Sequence, residues 1–386
     1  MRNLNIIIGG DLVPTRVNQK LFASSDMDQI IDGQIKKLLE SSDMRVFNLE
    51  VPLTNTETPI SKCGPNLIAP TNSIKGIKEL NPSMLSLANN HILDQGDQGL
   101  QSTIDLLQEH QIQFVGAGKN ISEASKPIHV DFGNIKVGFY ACAEIEFSIA
   151  TEETAGANPF DIFESLSTIT ELKKVCDYVI VLYHGGKEHY RYPSPYLQKV
   201  TKKMVDKGAD LVICQHSHCI GSYEKHEKGT IVYGQGNFIF NEHDNEFWNT
   251  SLLLKVILED SLSIEYIPII KTDLGIRHAN SDETNKILKD YHERSSQILQ
   301  DGFIADKYTA YAEDYIEGYL RHFVKMGKWI SKFDRRIFKG RILKSKCDKA
   351  YLLKSLNFIE CEAHRELMIE GLKNRINKID ARSHKN

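Results

Sequence analysis

The chain of 386 residues lacks paired cysteines, long apolar runs and a strong net charge. Its seven cysteines include no Cys-x-x-Cys pair, which argues against a thiolate zinc site and favours free thiols in a reducing compartment. No run approaches the roughly 20 apolar residues of a membrane span. The net charge of −4 argues neither for nor against nucleic acid.

The start of the chain also lacks the features of a signal peptide. MRNLN leads straight into the short apolar run IIIGG, which has no small-residue cleavage site. We therefore expect a cytoplasmic protein. There is no internal repeat, and no Gly-rich phosphate loop or ribose-binding acid favours a nucleotide or cyclic-nucleotide phosphodiesterase.

The first two-thirds of the chain alternates apolar strands with helix-like stretches, which predicts an α/β fold with a largely parallel sheet. Three later strands, GTIVYGQ, SLLLKVILE and LSIEYIPII, follow closely enough to pair antiparallel. Strand signals stop near Thr272, and helix formers with Lys and Arg dominate afterwards. We therefore predict a catalytic-type domain at 1–272 and a basic, mainly helical region at 273–386.

Polar clusters follow five of the apolar runs. The clusters contain Asp11 (IIIGGD), Asn48 and Glu50 (RVFNLE), Asn90 and His91 (LSLANNH), His184 (VIVLYHGG), and His216 and His218 (LVICQHSH). Residues at the carboxyl ends of parallel strands meet in one crevice, so we expect them on one face of one sheet. Any one of them alone could be a turn or surface residue. Together, carboxylates, an amide and histidines predict a two-metal site for phosphoester chemistry.

In order and spacing these clusters resemble the calcineurin-like metallophosphoesterases and, more closely, the poly-γ-glutamate capsule-biosynthesis (CapA-type) family. The resemblance covers roughly residues 1–270 and rests on GD, NLE, NNH-x-x-D-x-G, H-x-G-x-E and H-x-H motifs. One departure from the wider superfamily is Val13, which stands where those enzymes have a histidine. The resemblance implies a four-layer α/β/β/α sandwich.

The resemblance also implies a function and a cofactor. The function is metal-dependent phosphoester hydrolysis in capsular or extracellular polymer biosynthesis. The alternative is a non-hydrolytic accessory, or polyanion-binding component, of a polymer-synthesis complex. Two divalent ions, manganese, iron or zinc, suit the ligand types. Their implied ligands are Asp11, Glu50, Asn90, His184, His216 and His218.

Within that set we expect Glu50 to bridge the ions, with Asn48 as the competing choice. His184 and His216 would complete one ion and His218 the other. His216 and His218 are two residues apart, so they share a face on an extended strand, and in a turn both can reach the crevice.

His91 is implied to act on the leaving group rather than as a ligand. Asp94 either orients the His91 ring or caps the following helix. Four further residues are candidates for substrate binding or ligand support. Arg16 and Lys187 bind an anionic group or form exposed salt bridges, Glu188 orients His184, and Asn237 lines the cleft.

Residues 321–349 are rich in Lys and Arg and interleaved with aromatic side chains, including Trp329, Phe333 and Phe338. Two interpretations are open: a helical cap packed on the first domain, or a surface for anionic lipid or a polyanionic polymer. Specific nucleic acid binding ranks third because no binding motif accompanies the charge. Expected partners are a phosphorylated or polyanionic substrate, other capsule-synthesis proteins and the inner face of the membrane.

Overall fold

A computed structural model describes the backbone of residues 4–383 and the side chains of residues 4–380. The chain forms two compact units, Met1–Ala305 and Asp306–Asn386. The predicted boundary at residue 272 falls earlier in the chain, so the strand and the helix that directly follow it lie in the first unit.

The strands are short to medium in length and most of them are buried. They are β1 (Leu4–Val13), β2 (Met44–Leu49), β3 (Met84–Ser86), β4 (Gln113–Val115), β5 (Ala117–Gly118), β6 (Ile128–Asp131), β7 (Lys136–Ala143), β8 (Gly156–Ala157), β9 (Tyr178–His184), β10 (Leu211–Gln215), β11 (Tyr223–His226), β12 (Gly229–Val232), β13 (Ile239–Phe240), β14 (Thr250–Leu258), β15 (Leu262–Lys271) and β16 (Ile276–His278).

The helices begin at sequence signals that satisfy their free N–H groups. Asp32, Asp161 and Ser194 each accept hydrogen bonds from the first turn of the helix that follows, and Asn280 forms a capping box with Glu283. The helices are α1 (Gln19–Ser24), α2 (Gly33–Glu40), α3 (Ile74–Glu79), α4 (Gly96–Glu109), α5 (Ile121–Ala124), α6 (Ile162–Val175), α7 (Pro195–Asp206), α8 (Ser281–Gln297), α9 (Phe303–Phe323), α10 (Lys328–Phe333), α11 (Arg341–Lys346), α12 (Lys349–Glu360) and α13 (Glu362–Ser383).

Within residues 4–383 the first unit contains two main sheets. The first has the order β16-β15-β14-β1-β2-β3-β4, with β13 also paired to β1. Strands β1 to β4 are parallel, and β14 to β16 are antiparallel. The second sheet has the order β11-β12-β10-β9-β7-β6, with parallel central strands and an antiparallel strand at each edge.

The two sheets pack face to face, and helices cover their outer faces. On β9, Ile180 and Leu182 join the core that the first sheet contributes to. The alternate residues Val179 and Val181 instead pack in a second core with α6 and α7. This period of two places β9 between a sheet and a helix layer. Helices α2, α3 and α4 contribute to the core of the first sheet. The layers therefore follow the predicted order of helices, sheet, sheet and helices.

Helix α8 explains why the first unit extends past residue 272. Its buried Tyr291 packs against Tyr266 of β15 and Tyr223 of β11, with ring centroids 5.0 and 5.1 Å apart. Strand β16 extends the first sheet beyond β15. The expected antiparallel trio is correct for β14 and β15, but β12 lies in the second sheet, beside β10.

The second unit is helical within the described residues, as the composition predicts. A small core forms around Met326, Leu343 and Cys347. A buried ion pair joins Arg321 Nη1 to Asp334 Oδ2 at 2.8 Å. No helix within residues 4–383 combines the length and the apolar composition needed to cross a membrane. All seven cysteines are free.

Candidate metal centre

The predicted polar clusters meet between the two sheets rather than at the edge of one sheet. Asp11 lies near the end of β1, and Glu50 directly follows β2 in the first sheet. His184 ends β9 of the second sheet, and His216 and His218 follow β10. The expectation of a single sheet is therefore wrong, because the strands before His184 and before His216 and His218 belong to the second sheet.

Gly10 lets the backbone next to Asp11 pack closely against the segment that contains Gly236. A Cβ atom on Gly10 would lie 2.0 Å from the carbonyl oxygen of Gly236, so a side chain there would collide with the neighbouring segment. The same segment donates a hydrogen bond from Phe238 N to the Asp11 carbonyl oxygen at 3.0 Å. It also places Asn237 Oδ1 2.8 Å from His218 Nδ1. Asn237 therefore contacts a candidate ligand directly.

His216 and His218 both occupy the left-handed region, with φ angles of 85° and 52°. Such backbone costs a non-glycine residue about 1–3 kcal/mol and concentrates at functional sites. The turn that they form brings both rings to the site, as one of the two sequence alternatives allowed.

The Nε2 atom of His184 is crowded by potential ligand atoms. Asn90 Oδ1 lies 3.0 Å away, Glu50 Oε1 3.1 Å away and His216 Nδ1 3.1 Å away. One ring nitrogen can serve only one of these neighbours by hydrogen bonding. Adjacent ligands of a single ion, each bound at about 2.1 Å, lie about 3 Å apart. The spacing therefore fits ligands that surround a cation.

Glu50 is the clearest sign that a cation belongs here. Its side chain is fully buried, and neither carboxylate oxygen has a hydrogen-bond partner among the residues that the structure describes. The 3.1 Å approach of Oε1 to His184 Nε2 is a close contact without hydrogen-bond geometry. A buried polar group without a partner costs about 1–3 kcal/mol, and a charged one more. The residues present therefore fit a bound divalent ion.

Two overlapping groups of possible ligands share Glu50. Asp11, Glu50 and His184 form one group, and Glu50, His216 and His218 form the other, with ligand atoms within 4.8 Å in each group. The shared residue is the one expected to bridge two ions. The expectation that His184 and His216 complete the same ion stays a prediction. In the structure His216 is close to both other histidines.

Burial and mutual charge shift the pKa values of the site. Burial, together with the charge of Asp11, raises the pKa of Glu50 to about 8. Burial lowers the pKa of His184 to about 4 and that of His216 well below its ordinary value. Burial opposes protonation of His218, but its hydrogen bond to Asp11 and the charge of Glu50 raise its pKa to about 9. A bound cation would displace protons from Glu50 and His218.

Asn48 links ligands from both sheets. Its Nδ2 donates to Asp11 Oδ1 at 2.7 Å and lies 3.2 Å from His184 Nδ1. Asn89 in turn donates to Asn48 Oδ1 at 3.1 Å. Asn48 therefore contacts His184, the residue that Glu188 was expected to orient. Burial acts to raise the pKa of the half-buried Glu188. The charges of the nearby His216 and His218 act in the opposite direction, and the net pKa is below its ordinary value.

His91 forms a buried cluster with two partners. Its Nδ1 lies 2.6 Å from Asp94 Oδ2, and the same oxygen accepts a hydrogen bond from Leu67 N at 2.6 Å. Lys62 forms an ion pair with Asp94 Oδ1, and its Nζ lies 3.2 Å from His91 Nδ1. Helix α4 has no side-chain cap, so Asp94 contacts His91 and does not cap the helix.

Lys62, Trp248 and Phe240 are site residues that sequence reasoning missed. The ring centroids of Trp248 and Phe240 lie 4.7 and 5.7 Å from that of His218. Trp248 Nε1 also donates to His189 Nε2 at 2.9 Å. Lysine and aromatic side chains are neither ligand types nor part of a strand-end motif, so no signal in the sequence separated them from core and surface residues.

Arg16 and Lys187 are exposed, and neither forms an ion pair within residues 4–380. Arg16 and Lys187 lie close to Asp11 and His184 in the sequence. Within the described residues, neither side chain has a recorded contact with a candidate ligand. Their predicted role in binding an anionic group stays a prediction.

The sequence of residues 5–242 matches the family described as bacterial capsule synthesis protein PGA_cap. The chain belongs to this family. Every candidate ligand, from Asp11 to His218, lies inside the matched range, whereas the second unit lies outside it.

Two relatives with names that refer to polymer or capsule synthesis are similar to part of the chain. The chain is 30% identical over 248 residues to the capsule biosynthesis protein CapA of Bacillus anthracis, covering 62% of this chain and 60% of that one. It is 24% identical over 277 residues to a "Probable polyglutamine synthesis accessory protein" of Mycobacterium tuberculosis, covering 65% and 73%. The chain thus spans about three-fifths of the length of the CapA protein.

Among solved structures, a novel phosphatase of Mycoplasma pneumoniae aligns with a TM-score of 0.44 and 14% identity. That alignment covers 71% of this chain and 95% of the phosphatase. At that level the likeness carries no argument about function.

Proposed function

We propose that this PGA_cap protein hydrolyses a phosphoester during the synthesis of a capsular or extracellular polymer, using two divalent ions of manganese, iron or zinc. The observation that carries the proposal is Glu50, a buried carboxylate that has no hydrogen-bond partner within residues 4–380 and is surrounded by Asp11 and three histidines. Imidazole and carboxylate ligands suit these metals better than magnesium or calcium.

The chain's own residues would hold the ions from both sheets. Asp11 and His184 group with Glu50 in one candidate ligand set, and His216 and His218 group with it in the other. Asn90 adds an amide oxygen at 3.0 Å from His184 Nε2. Two bound divalent ions would neutralise charge on the phosphoryl group and activate a water nucleophile. The side-chain amide of Asn48 contacts both Asp11 and His184 and would fix their positions relative to each other.

His91 would protonate the leaving oxygen. Asp94 holds its Nδ1 at 2.6 Å, which leaves Nε2 as the ring nitrogen that can transfer a proton to the departing alkoxide. Asp94 is itself held by Lys62 and by Leu67 N. This arrangement fixes the orientation of the imidazole before substrate binds.

The link to capsule synthesis comes from the family and from the names of its relatives. A γ-linked glutamate polymer carries no phosphate, so the substrate of a phosphoesterase in such a pathway would be a phosphorylated intermediate. The experiment that tests the proposal compares metal-loaded and chelated protein on phenyl phosphate. Metal-dependent turnover that disappears in Glu50→Gln supports it, and turnover unaffected by chelator contradicts it.

A second candidate is a non-hydrolytic component that binds other polymer-synthesis proteins or a polyanion. The name of the Mycobacterium tuberculosis relative, a synthesis accessory protein, favours this alternative. A protein that binds its metals fully yet hydrolyses neither aryl nor alkyl phosphates would support the accessory role over the hydrolase.

The second unit would hold the protein reversibly at an anionic membrane surface, where polymer precursors are assembled. Trp329 is 79% exposed, and Phe333 and Phe338 are also exposed among many Lys and Arg side chains. Lys332 Nζ lies 5.8 Å from the Trp329 ring centroid. Each Lys or Arg near an anionic surface contributes about 1 kcal/mol, weakened by salt.

A further inference from the structure

A cavity of about 400 Å³ is lined by residues that neighbour the candidate site residues in the chain. Four segments form its wall: the chain after β1, the chain after Glu50, the loop around Leu67 and the chain after β13. A cavity of similar size beside Glu224 differs, because Tyr233, Gln198 and Lys202 already surround its buried carboxylate.

The wall of the first cavity continues directly from the site. Val51 follows the unpartnered Glu50 in the chain. The backbone N–H of Leu67, another wall residue, donates to Asp94, the partner of His91. A phosphoester bound at the metal ligands and His91 would therefore have its organic group next to this cavity.

Most side-chain hydrogen-bond donors of the polar wall residues are already engaged. The Thr15 hydroxyl donates to the Asn241 carbonyl oxygen at 3.2 Å, and Asn66 Nδ2 donates to the Ile60 carbonyl oxygen at 3.0 Å. Asn241 Nδ2 donates to the carbonyl oxygens of Thr272 and Gly275. The Oδ1 atoms of Asn66 and Asn241 have no partner but are buried out of contact with solvent.

The rest of the wall is mainly apolar. Val13, Val17, Val51, Pro65, Leu67 and Ile68 line it. A sugar or nucleoside would need several free donors and acceptors to replace its hydration, because a polar group buried without a partner costs about 1–3 kcal/mol. An apolar group has no such need and gains from each methylene removed from water.

Two charged side chains complete the wall. Arg16 is exposed and forms no ion pair within the described side chains, so its guanidinium is available for phosphoryl oxygens. Glu242 is also exposed and would repel a group rich in carboxylates, such as a glutamyl chain.

We infer that this cavity binds the organic group of the phosphoester, and that this group is an apolar alkyl or aryl alcohol. The inference rests on the proposed phosphoesterase function and names its substrate class. Sugar phosphates, nucleotides and glutamyl phosphates would be poor substrates in comparison.

Hydrolysis of a graded substrate series tests the inference. The kcat/KM of metal-loaded protein should rise about three- to fourfold for each methylene from ethyl to hexyl phosphate, as expected for burial of each group. Glucose 6-phosphate should be hydrolysed no better than ethyl phosphate. Equal kcat/KM values along the series, or a preference for the sugar phosphate, would overturn the inference.

Wall variants connect the effect to the cavity. Ile68→Asp changes a wall residue that is 37% exposed, so the fold should tolerate it. It should abolish the preference for hexyl over ethyl phosphate. The matched control is Val175→Asp at the end of α6, where the side chain is 58% exposed and distant from the cavity in the fold. An equal effect of the two substitutions on that preference would contradict the assignment.

Calorimetry with alkylphosphonates separates this inference from the proposed function, because these compounds bind without turnover. Affinity that rises with chain length and is lost in Ile68→Asp supports the cavity even if no phosphate ester is hydrolysed, which would contradict the hydrolase alone. Hydrolysis of phenyl phosphate without any chain-length dependence of phosphonate binding would overturn the cavity and leave the hydrolase standing.

Discussion

His91 Nδ1 lies 2.6 Å from Asp94 Oδ2, and Lys62 forms a buried ion pair with the other oxygen of the same carboxylate. The three side chains form a connected group. His91 directly follows Asn90, one of the candidate metal ligands, in the chain. Such a group orients an imidazole without making it a ligand. The candidate metal ligands are therefore distinct from the residues that would move a proton.

The first prediction concerns His91. His91→Gln should retain the metal content of the parent yet hydrolyse phenyl phosphate roughly a hundredfold more slowly, as expected for loss of a positioned acid. Hydrolysis of 2,4-dinitrophenyl phosphate should fall much less, because that leaving group needs no proton. His129→Gln, on the exposed edge of β6, is the control. Loss of metal from His91→Gln would show that His91 is a ligand instead.

The second prediction concerns Lys62, whose side chain is only 3% exposed although its neighbours in the loop, Ser61 and Cys63, are exposed. Lys62→Met should lower kcat for phenyl phosphate more than for 2,4-dinitrophenyl phosphate, with little change in KM, because the His91 ring loses its fixed orientation. Lys62→Arg should restore part of kcat, and Lys199→Met on the exposed face of α7 should have no effect. Equal losses on both substrates would indicate that Lys62 only anchors the loop.

The third prediction concerns the stability of metal-free protein. The folded-state pKa of Glu50 is raised to about 8, against about 4.3 in an unfolded chain. Its contribution is fully present below pH ~4.3 and is lost as the pH rises through about 8. In chelator, Glu50→Gln should therefore gain stability relative to the parent between pH 5 and pH 8, by on the order of a few kcal/mol.

Denaturant unfolding at several pH values measures this difference. Glu109→Gln, an exposed substitution at the end of α4, is the control and should follow the parent at every pH. With metal restored the order should reverse, because the parent alone then has its bridging ligand. A difference between Glu50→Gln and the parent that does not change with pH would rule out the buried protonated carboxylate.

The strands and helices of the first unit were largely predictable because their signals are local. The apolar runs IIIGG and LVICQ, for example, lie in β1 and β10. The boundary near residue 272 came from the end of apolar alternation. The short strand β16 and the packing of helix α8 within the first unit were not predicted, because the partners of both elements lie elsewhere in the chain.

The composition of the site could be predicted, but its geometry could not. Each ligand type follows a strand, which a sequence displays directly. The meeting of two sheets depends on which strands pair, as in β1 with β2 and β9 with β10, and that is decided by packing. Lys62 lies in an irregular loop without periodicity, so its contact with Asp94 has no sequence signal.

The fourth prediction concerns the second unit. The protein should co-sediment with anionic vesicles at low salt, less at high salt, and hardly at all with neutral vesicles. Replacing both Trp329 and Phe333 by Ala should weaken this binding. Phe163→Ala, which alters an aromatic side chain that is 80% exposed on α6, should not. Binding that does not depend on lipid charge or on salt concentration would contradict the membrane-surface interpretation and favour the packed helical cap.

The most direct test of the account is the metal content of the purified protein, measured by elemental analysis after loading and removal of free ions. We predict two divalent transition-metal ions per chain, with occupancy reduced in Asp11→Asn, Glu50→Gln and His216→Ala. The control Glu109→Gln should keep both ions. A parent protein that binds no metal, or three site variants that all keep full occupancy, would contradict the metal centre.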